Sequence, residues 1–267
     1  MSADFLLTAL THDPAVIRAA DEAAVDRIGV DIESLGKHLR QDPRDGHRLS
    51  DQRLEDLSVV AANVRRAAIF ARLNPLHAGT RDEVDRALAL GARVLMLPYF
   101  EEPRHAASFL DVVGGRAQTV LLVETAAAVN RIREIVSLPG VSEIMVGLND
   151  LHRSLHLAHP FEVLTTDAID SVARHTLDAG LRFGFGGVGR AGDESLPIPS
   201  DLVLAQYPRL GATAAWLARS FYKGLAPHQI PEAVRTVRAR LAWWSAQQPH
   251  QLDAQRDRLS AALHALA

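Results

Sequence analysis

Eight short apolar runs, rich in leucine and β-branched residues, alternate along the chain with longer segments whose apolar residues recur at helical spacing. This alternation predicts βαβ units, in which a helix connects each strand to the next parallel strand. Eight such units favour a closed (β/α)8 TIM barrel over an open doubly wound sheet, which stays the alternative. The predicted strands are Phe5–Leu10, Arg27–Ile32, Ala68–Leu73, Val94–Phe100, Thr119–Glu124, Glu143–Leu148, Phe183–Val188 and Ala215–Phe221.

Several residues mark where the intervening helices begin and end. Asp13 precedes a proline, which suits the first position of a helix, and Thr80 followed by Glu83 predicts a capping box. Glycine terminates a helix in a left-handed conformation at low cost. We therefore predict helix ends at Gly91, at Gly114-Gly115 and at Gly180, and a helix start at the proline-rich segment 196–200 before strand eight.

Composition excludes several classes of protein. The 267-residue chain has 29 Lys and Arg against 32 Asp and Glu, a formal charge of −3, so it lacks the basic excess of a nucleic-acid-binding protein. Cysteine is absent, which excludes disulfides and thiolate chemistry and fits a cytoplasmic location. The longest apolar stretch, Val94–Phe100, is far below the ~20 residues of a spanning helix. We expect no nucleic acid and no membrane among its partners.

The segment after strand eight is longer than a barrel requires. We expect residues 1–226 to form the barrel and residues 227–267 to form a helical extension with two amphipathic helices. Trp243 and Trp244 lie side by side in the first of them. The extension either covers the bottom of the barrel or docks on a neighbouring subunit.

Polar side chains follow the predicted strands at their carboxyl ends, where such a barrel carries its active site. Carboxylates follow strands two, five and six, and arginines follow strands three and eight. Oxygen ligands without thiolates suit a hard divalent cation, Mg²⁺ or Mn²⁺. The residues concerned are Asp31, Glu33, Arg72, Asn74, Glu124, Asn149, Asp150, Gly186, Gly187, Arg190 and Arg219.

Each of these residues also has a structural interpretation. A single carboxylate at the end of a strand is often a helix cap. Arg72 follows a run that reads as buried, and a buried guanidinium needs an anion. An ion pair with Glu33 or Glu124 would satisfy it, as would an anionic substrate.

Five motifs occur in order along the chain: GVDIE at 29–33, ARLNP at 71–75, GARVLMLP at 91–98, VET at 123–125 with Asn130 after it, and VGLNDL at 146–151. In order and spacing they resemble the HpcH/HpaI 2-oxo acid aldolase and citrate lyase β-subunit family. The resemblance extends over roughly residues 5–222. It implies a barrel of the phosphoenolpyruvate/pyruvate type and, because the family commonly forms multimers, a homo-oligomer.

The resemblance also implies a site. Mg²⁺ (or Mn²⁺) would be held by Glu124 and Asp150, and Arg72 would lie beside the 2-oxo oxygen of a bound pyruvyl group as a catalytic and substrate-binding residue. The activity implied is a metal-dependent carbon–carbon lyase, an aldolase, which acts on a small 2-oxo acid through a pyruvate-like enolate. The backbone that would bind the substrate carboxylate belongs to Gly147, Leu148, Asn149 and Asp150.

The sequence departs from the family at the residue for proton transfer. The aldolase branch carries Asp-x-Glu-His after strand two, whereas this chain has Ser34 in the histidine position. We expect His38 at the surface and take His152 as the auxiliary acid or base. His156 and His159 are expected to be solvated or to face the substrate. The chain also lacks the extended C-terminal domain of the acyl-CoA lyase branch, which argues against a CoA substrate.

Other functions remain open at this stage. The glycine-rich run 184–192 ends strand seven, where barrels often bind phosphate, and Arg190 would be the paired charge and a substrate-binding residue. That reading predicts a phosphosugar isomerase or epimerase. The metal–enolate site could also serve a hydrolase or an isomerase. A non-catalytic barrel with Trp243 and Trp244 at its contact surface is the last alternative.

Overall fold

The computed structural model describes residues 5–37, 51–193 and 195–266. Eight parallel strands pair in chain order, and the last pairs with the first, so the sheet closes into the predicted barrel. The strands are β1 Leu6–Leu10, β2 Arg27–Asp31, β3 Ala68–Arg72, β4 Val94–Leu97, β5 Gln118–Val123, β6 Glu143–Val146, β7 Arg182–Val188 and β8 Ala214–Leu217.

Helices connect these strands and surround the barrel. They are α1 Pro14–Glu22, α2 Leu57–Asn63, α3 Thr80–Ala89, α4 Pro103–Val113, α5 Ala126–Asn130, α6 Ile132–Val136, α7 Leu148–Ser154, α8 Asp167–Asp178, α9 Ser200–Leu204, α10 Gln206–Arg209, α11 Arg219–Tyr222, α12 Ile230–Ser245 and α13 Pro249–His264. Short 3-10 helices span Leu54–Asp56, Pro160–Thr165 and Pro227–Gln229.

Most predicted helix boundaries are confirmed. Asp13 caps α1 by accepting hydrogen bonds from the backbone amides of residues 15 and 16. Gly91, Gly114 and Gly180 have φ angles of 100°, 58° and 72°, the left-handed conformation expected at a helix end. The proline-rich segment leads into α9.

The prediction of a capping box at α3 is wrong, because no side chain caps this helix. Thr80 is the first helical residue, and its hydroxyl accepts a hydrogen bond from the His77 amide. Glu83 instead accepts hydrogen bonds from the backbone and side-chain amides of Asn74 at 3.0 and 2.7 Å. The sequence spacing is therefore correct for a cap, but both side chains are used by the loop after β3.

Three strands end two or more residues earlier than predicted: β4 at Leu97, β6 at Val146 and β8 at Leu217. In β6 and β8 a new helix begins almost at once, at Leu148 and at Arg219. Because both segments stay apolar into the helix, hydrophobicity alone does not mark the end of the strand.

The barrel interior is filled in layers, because alternate residues of a strand point to the same face. At the amino ends of the strands, Arg27 of β2 donates a hydrogen bond of 3.0 Å to Glu143 of β6. A buried apolar layer follows, which includes Phe70, Met96, Leu122 and Met145. The next inward positions toward the carboxyl ends are Asp31, Arg72, Glu124, Gly147 and Gly186. The alternation of side chains along each strand therefore places polar groups inside the barrel at the carboxyl ends of the strands.

The C-terminal helices pack against the barrel's own helices. Helix α12 contacts α1, α9 and α10, and α13 contacts α9, α10 and the 3-10 helix at residues 160–165. Trp244 is buried in this packing, whereas Trp243 is 46% exposed. The division at residue 226 stays a prediction. Among the helices of residues 5–37, 51–193 and 195–266, none combines the length and hydropathy needed to cross a membrane.

Candidate active site

A cavity of about 660 Å³ opens at the carboxyl ends of the strands. One side of its wall is polar and comes from the ends of β2 to β6, with Asp31, Lys37, Arg72, Glu124 and Asp150. This is the end of the barrel where the fold places active sites. Most of the polar residues predicted at the strand ends line this cavity, and Glu33, Asn74 and Arg190 do not. The cavity is large enough for a small organic ligand.

Three buried carboxylates meet on this polar side. Glu33 follows β2, Glu124 follows β5 and Asp150 lies in the first turn of α7, and one oxygen of each lies within 4.8 Å of one oxygen of each of the others. Burial and the neighbouring charges of Glu33 and Asp150 raise the pKa of Glu124 well above its ordinary value. Such crowding of carboxylates is unfavourable unless a cation or protons compensate it.

Backbone geometry fixes the Glu124 side chain. The Tyr99 amide donates a 2.8 Å hydrogen bond to Glu124 Oε1, and Tyr99 itself has a left-handed φ of 42°, which is strained for a non-glycine residue. Gly147 packs so closely that a Cβ atom there would lie 2.9 Å from the Glu124 Cβ. Only glycine at position 147 leaves room for this carboxylate.

Arg72 is held by carboxylates rather than left free. Its guanidinium forms a bidentate pair with Asp31, Nε to Oδ1 at 2.7 Å and Nη2 to Oδ2 at 2.5 Å, and Nη1 lies 3.3 Å from Glu33 Oε2. Lys37 Nζ adds contacts of 3.1 Å to Glu33 and 3.8 Å to Asp31. Burial raises the pKa of Asp31, but attraction to Arg72 and Lys37 outweighs it and lowers that pKa to about 2. The expected ion pair of Arg72 with Glu33 exists, with Asp31 as the main partner.

Asn74 ties the loop after β2 to the loop after β3. Its side-chain oxygen accepts hydrogen bonds from the amides of Ser34 and Leu35 at 2.9 and 3.0 Å, while its own NH2 group binds Glu83. Ser34, at the position of the family histidine, is thus occupied with Asn74 and does not line the cavity. His38, the other candidate near this loop, lies outside the described residues.

The residues present fit a hard divalent cation. The described side chains of this cluster include four carboxylates and two cations, which gives the buried cluster a formal charge of −2. The carboxylates are Asp31, Glu33, Glu124 and Asp150, and the cations are Lys37 and Arg72. Oxygen donors from two or three carboxylates are what Mg²⁺ and Mn²⁺ take in proteins. The predicted ligands Glu124 and Asp150 are brought together, and Glu33 joins them.

The predicted substrate-binding backbone lies beside this cluster. Gly147, Leu148, Asn149 and Asp150 all line the cavity, and Gly147 precedes the first turn of α7. In that turn the amides of Leu148 and Asn149 have no carbonyl within the helix to accept their hydrogen bonds. They are available to an anion in the cavity.

The three histidines after Asp150 separate in space. His152 is buried in α7 with Nδ1 3.2 Å from the Leu148 carbonyl oxygen, and it does not line the cavity. His156 is exposed with a φ of 56°, past the end of α7. His159 does line the cavity, and its Nδ1 accepts a 3.1 Å hydrogen bond from the Phe161 amide. Burial lowers the pKa of both His152 and His159.

The glycine-rich end of β7 does not bring Arg190 to the cavity. The Arg190 guanidinium binds Asp193, at 2.6 Å between Nη2 and Oδ2, and the Lys223 carbonyl oxygen at 2.9 Å. Gly186, Gly187 and Gly189 line the cavity without it. The prediction that Arg190 binds substrate or phosphate therefore finds no support in its position.

Two groups were missed by the sequence analysis. Lys37 stands four residues after Glu33, a spacing that predicts an ion pair in a helical turn, but the cavity position was not foreseen. Tyr222 lines the opposite side of the cavity after β8. No local sequence pattern identifies it.

Fold and site together define a (β/α)8 barrel enzyme with a buried acidic cluster and an arginine at the carboxyl ends of its strands. The profile of one family, HpcH/HpaI aldolase/citrate lyase, matches residues 9–185. The chain belongs to this family, whose members are lyases. No curated protein sequence matches the chain.

Solved structures share the fold at low sequence identity. An HpcH/HpaI aldolase/citrate lyase family protein from Burkholderia cenocepacia J2315 is 21% identical with a TM-score of 0.61, over 91% of this chain and 95% of that one. An HpcH/HpaI aldolase from Desulfitobacterium hafniense DCB-2 is 17% identical with a TM-score of 0.60, over 80% and 86%. A citrate lyase beta subunit from M. tuberculosis, complexed with oxaloacetate and magnesium, is 17% identical with a TM-score of 0.60, over 89% and 98%.

Proposed function

We propose that this chain is a divalent-metal-dependent aldolase that cleaves or forms a carbon–carbon bond next to a pyruvate-like enolate of a 2-oxo acid. The observation that carries the proposal is the convergence of the Glu33, Glu124 and Asp150 carboxylates within 4.8 Å, beside Arg72, in a lyase-family barrel. Glu124, Asp150 and Arg72 line the cavity, and Glu33 lies behind them. The magnesium and oxaloacetate of the citrate lyase beta subunit support the same ligand chemistry.

The metal would be held by Glu124 and Asp150, with Glu33 as the third carboxylate of the cluster. A divalent cation supplies, when bound, positive charge to the carboxylate and keto oxygens of a 2-oxo acid. The amides of Leu148 and Asn149 would bind the substrate carboxylate at the first turn of α7. Mg²⁺ and Mn²⁺ both bind oxygen donors of this kind, and titration of each metal, as described below, identifies the one that binds more tightly.

Arg72 has the chemistry needed at the keto oxygen. A guanidinium has five N–H donors, and its contacts to Asp31 and Glu33 use three of them. The other two N–H groups are available on a side chain that is 12% exposed on the cavity wall. A fixed cation at this position stabilises the negative oxygen of an enolate more than the neutral carbonyl, which is the condition for catalysis.

The reaction requires one proton to leave and one to arrive. In cleavage of a 4-hydroxy-2-oxo acid, the hydroxyl proton leaves, its oxygen becomes the aldehyde carbonyl, and the electrons of the broken carbon–carbon bond form the enolate. The enolate carbon then takes a proton and gives the 2-oxo acid. Lys37 and His159 both line the cavity, so they are the residues that we propose carry these protons. His152 is buried and does not line the cavity, so it has no direct contact with a substrate there.

Calorimetric titration of Mg²⁺ and of Mn²⁺ into chelator-treated protein, with and without oxalate, tests the proposal. Oxalate mimics the enolate, so its binding should require the metal and should be lost in Asp150→Asn and Glu124→Gln. Glu143→Gln is the matched control, because Glu143 is a buried carboxylate at the opposite end of the barrel. Oxalate binding that ignores the metal, or that survives in Asp150→Asn, would contradict the proposal.

Release of pyruvate from a 4-hydroxy-2-oxo acid then distinguishes an aldolase from a hydrolase or an isomerase that uses the same metal–enolate site. A homo-oligomeric state and a cytoplasmic location belong to the same proposal and are supported by the family resemblance and the cysteine-free composition.

A further inference from the structure

The cavity has two chemically different halves. The half formed by the ends of β2 to β6 carries the acidic cluster and its cations. The other half is formed by the loops after β6, β7, β8 and β1, and its wall is mainly apolar, with Val16, Phe161, Leu196, Ile198 and Val203. A wall of this kind stabilises apolar ligand surface and penalises a buried charge.

The volume of the cavity leaves space beyond a pyruvyl unit. About 660 Å³ is in the range that accommodates a drug-sized ligand, which is larger than a three-carbon 2-oxo acid. Glycines at the end of β7 and directly after it let apolar side chains pack against the backbone: a Cβ at Gly187 would lie 2.9 Å from Phe161 Cε1, and one at Gly189 would lie 2.8 Å from Leu196 Cδ1. These positions bring the backbone close to the apolar wall, with no side chain between them.

One polar group in the apolar half, the Tyr222 hydroxyl, has no hydrogen-bond partner among the described residues. The Tyr222 hydroxyl is buried and makes no hydrogen bond to any part of the chain that the structure describes, although Tyr222 lines the cavity. Burial raises the pKa of this phenol, so it stays a hydrogen-bond donor at neutral pH. A buried hydroxyl without a partner is uncommon in a folded protein and indicates that a ligand supplies the acceptor.

From these observations we infer that the apolar half is the subsite for the aldehyde portion of the substrate, that this portion is uncharged and largely apolar, and that Tyr222 donates a hydrogen bond to its oxygen. The inference rests on the proposed aldolase function and specifies its substrate class: 4-hydroxy-2-oxo acids with an apolar substituent on the carbon that bears the hydroxyl. Phosphorylated and carboxylated aldehydes would place a charge against Leu196 and Ile198.

Arg219 does not change this assignment. It is the charged side chain that lines the apolar half among the residues with described positions, and it is exposed to solvent and has interactions of its own. An exposed cation in high dielectric contributes little to the binding of an anion in the cavity. The buried wall therefore determines the preference.

The test is a pair of aldehydes of equal length condensed with pyruvate by the full-length protein in the presence of Mg²⁺. Butanal and succinic semialdehyde differ by a terminal carboxylate. We expect kcat/KM for butanal to exceed that for succinic semialdehyde at least about tenfold, because the carboxylate loses hydration against the apolar wall. Equal values, or a preference for succinic semialdehyde, would overturn the inference.

Variants of the wall provide a second test. Leu196→Lys, at a half-buried position, should reverse the preference toward succinic semialdehyde. Tyr222→Phe should raise KM for butanal about fivefold to tenfold without lowering the melting temperature, because the lost hydroxyl has no hydrogen-bond partner among the residues that the structure describes. Tyr207→Phe is the matched control: its hydroxyl donates a 3.2 Å hydrogen bond to the Phe185 carbonyl oxygen, so it should lower the melting temperature and leave KM unchanged.

A separate readout distinguishes this inference from the function on which it rests. Exchange of the pyruvate methyl protons with deuterium in D2O reports enolate formation without any aldehyde. Exchange together with no preference for butanal would overturn the subsite and retain the enolate site. Absence of both exchange and condensation would overturn the proposed function and the subsite with it.

Discussion

Replacement of Glu124 by glutamine should stabilise the metal-free protein and abolish its response to metal. The buried carboxylate is repelled by Glu33 and Asp150, and its raised pKa means that ionised Glu124 destabilises the fold. Glutamine removes the charge and keeps an oxygen that can accept the hydrogen bond of the Tyr99 amide. The same change removes a ligand from the cluster.

The size of the effect at pH 7 has an upper limit. In the unfolded chain the Glu124 carboxyl has its ordinary pKa of 4.5 and is ionised at pH 7. In the folded protein the carboxyl can avoid the penalty of a buried charge by staying protonated. The destabilisation therefore cannot exceed the cost of protonation at pH 7, which is about 2.5 pH units or about 3 kcal/mol. We therefore expect Glu124→Gln to gain up to about 3 kcal/mol in chelator, and each kcal/mol raises the melting temperature of a domain of this size by about 2–4 °C.

The pH dependence follows from the direction of the shift. A carboxyl whose pKa is raised on folding binds more protons in the folded state, so the metal-free wild type loses stability as pH rises above 4.5. The advantage of Glu124→Gln should be present at pH 7 and should vanish below about pH 4.5. In wild type, Mg²⁺ at about 1,000 times Kd adds about 4.1 kcal/mol, which exceeds the limit of about 3 kcal/mol on the advantage of Glu124→Gln, so metal at that concentration should reverse the order of the two proteins.

Thermal unfolding with chelator and with Mg²⁺, at several pH values, is the assay. Glu143→Gln controls for the loss of any buried carboxylate, because Glu143 also has a pKa raised by burial yet pairs with Arg27 away from the cluster. It should retain the full metal-dependent shift. A Glu124→Gln protein that is less stable than wild type in chelator, or that still responds to Mg²⁺, would refute the reasoning.

Three further outcomes are expected. Arg72→Ala should lower kcat about 10²- to 10³-fold with metal affinity retained; a normal kcat would remove Arg72 from the reaction. Gly147→Ala should displace Glu124, since the new Cβ would lie 2.9 Å from the Glu124 Cβ, and should weaken Mg²⁺ binding in calorimetry, whereas Gly180→Ala, with a φ of 72° and open space around it, should lose only stability. Asp31, whose pKa is lowered to about 2 from 3.8, should contribute about 2 kcal/mol that is complete above pH 4 and lost as pH falls through 2; urea unfolding of wild type and Asp31→Asn from pH 7 to pH 2 measures this, and a constant difference would contradict it.

The fold could be predicted from the sequence because its information is local. Eight apolar runs separated by segments with helical periodicity specify eight strands, and the alternation of faces within each run places Asp31, Arg72 and Glu124 at inward positions. Closed parallel sheets bring the carboxyl ends of all strands to one place. Convergence of these side chains therefore follows from the topology, without knowledge of any contact.

The sequence does not predict which carboxylates pair with Arg72, because that choice depends on interatomic distances that a sequence pattern does not contain. Arg72 could meet Glu33 or Glu124 with equal sequence support, and the structure selects Asp31 and Glu33 because β2 and β3 are adjacent, with Asp31 opposite Arg72 in register. The positions of the histidines were not predictable either, because α7 ends at Ser154 and His156 lies beyond the helix that carries His152. His159 reaches the cavity through a loop, whose path no periodicity specifies.

The two ends of the barrel interior treat buried charge differently. At the amino ends, Arg27 and Glu143 pair at 2.8 Å with Arg182 3.9 Å away, so the carboxylate is matched by cations. At the carboxyl ends, four carboxylates share Arg72 and Lys37 among the described side chains, and the pKa of Glu124 rises. A protein selected for stability alone would replace one of these carboxylates by a neutral side chain. The imbalance occurs at the end of the barrel where this fold carries its active sites, and it is absent at the other end. This difference in buried charge supports our proposal that the cluster binds a cation.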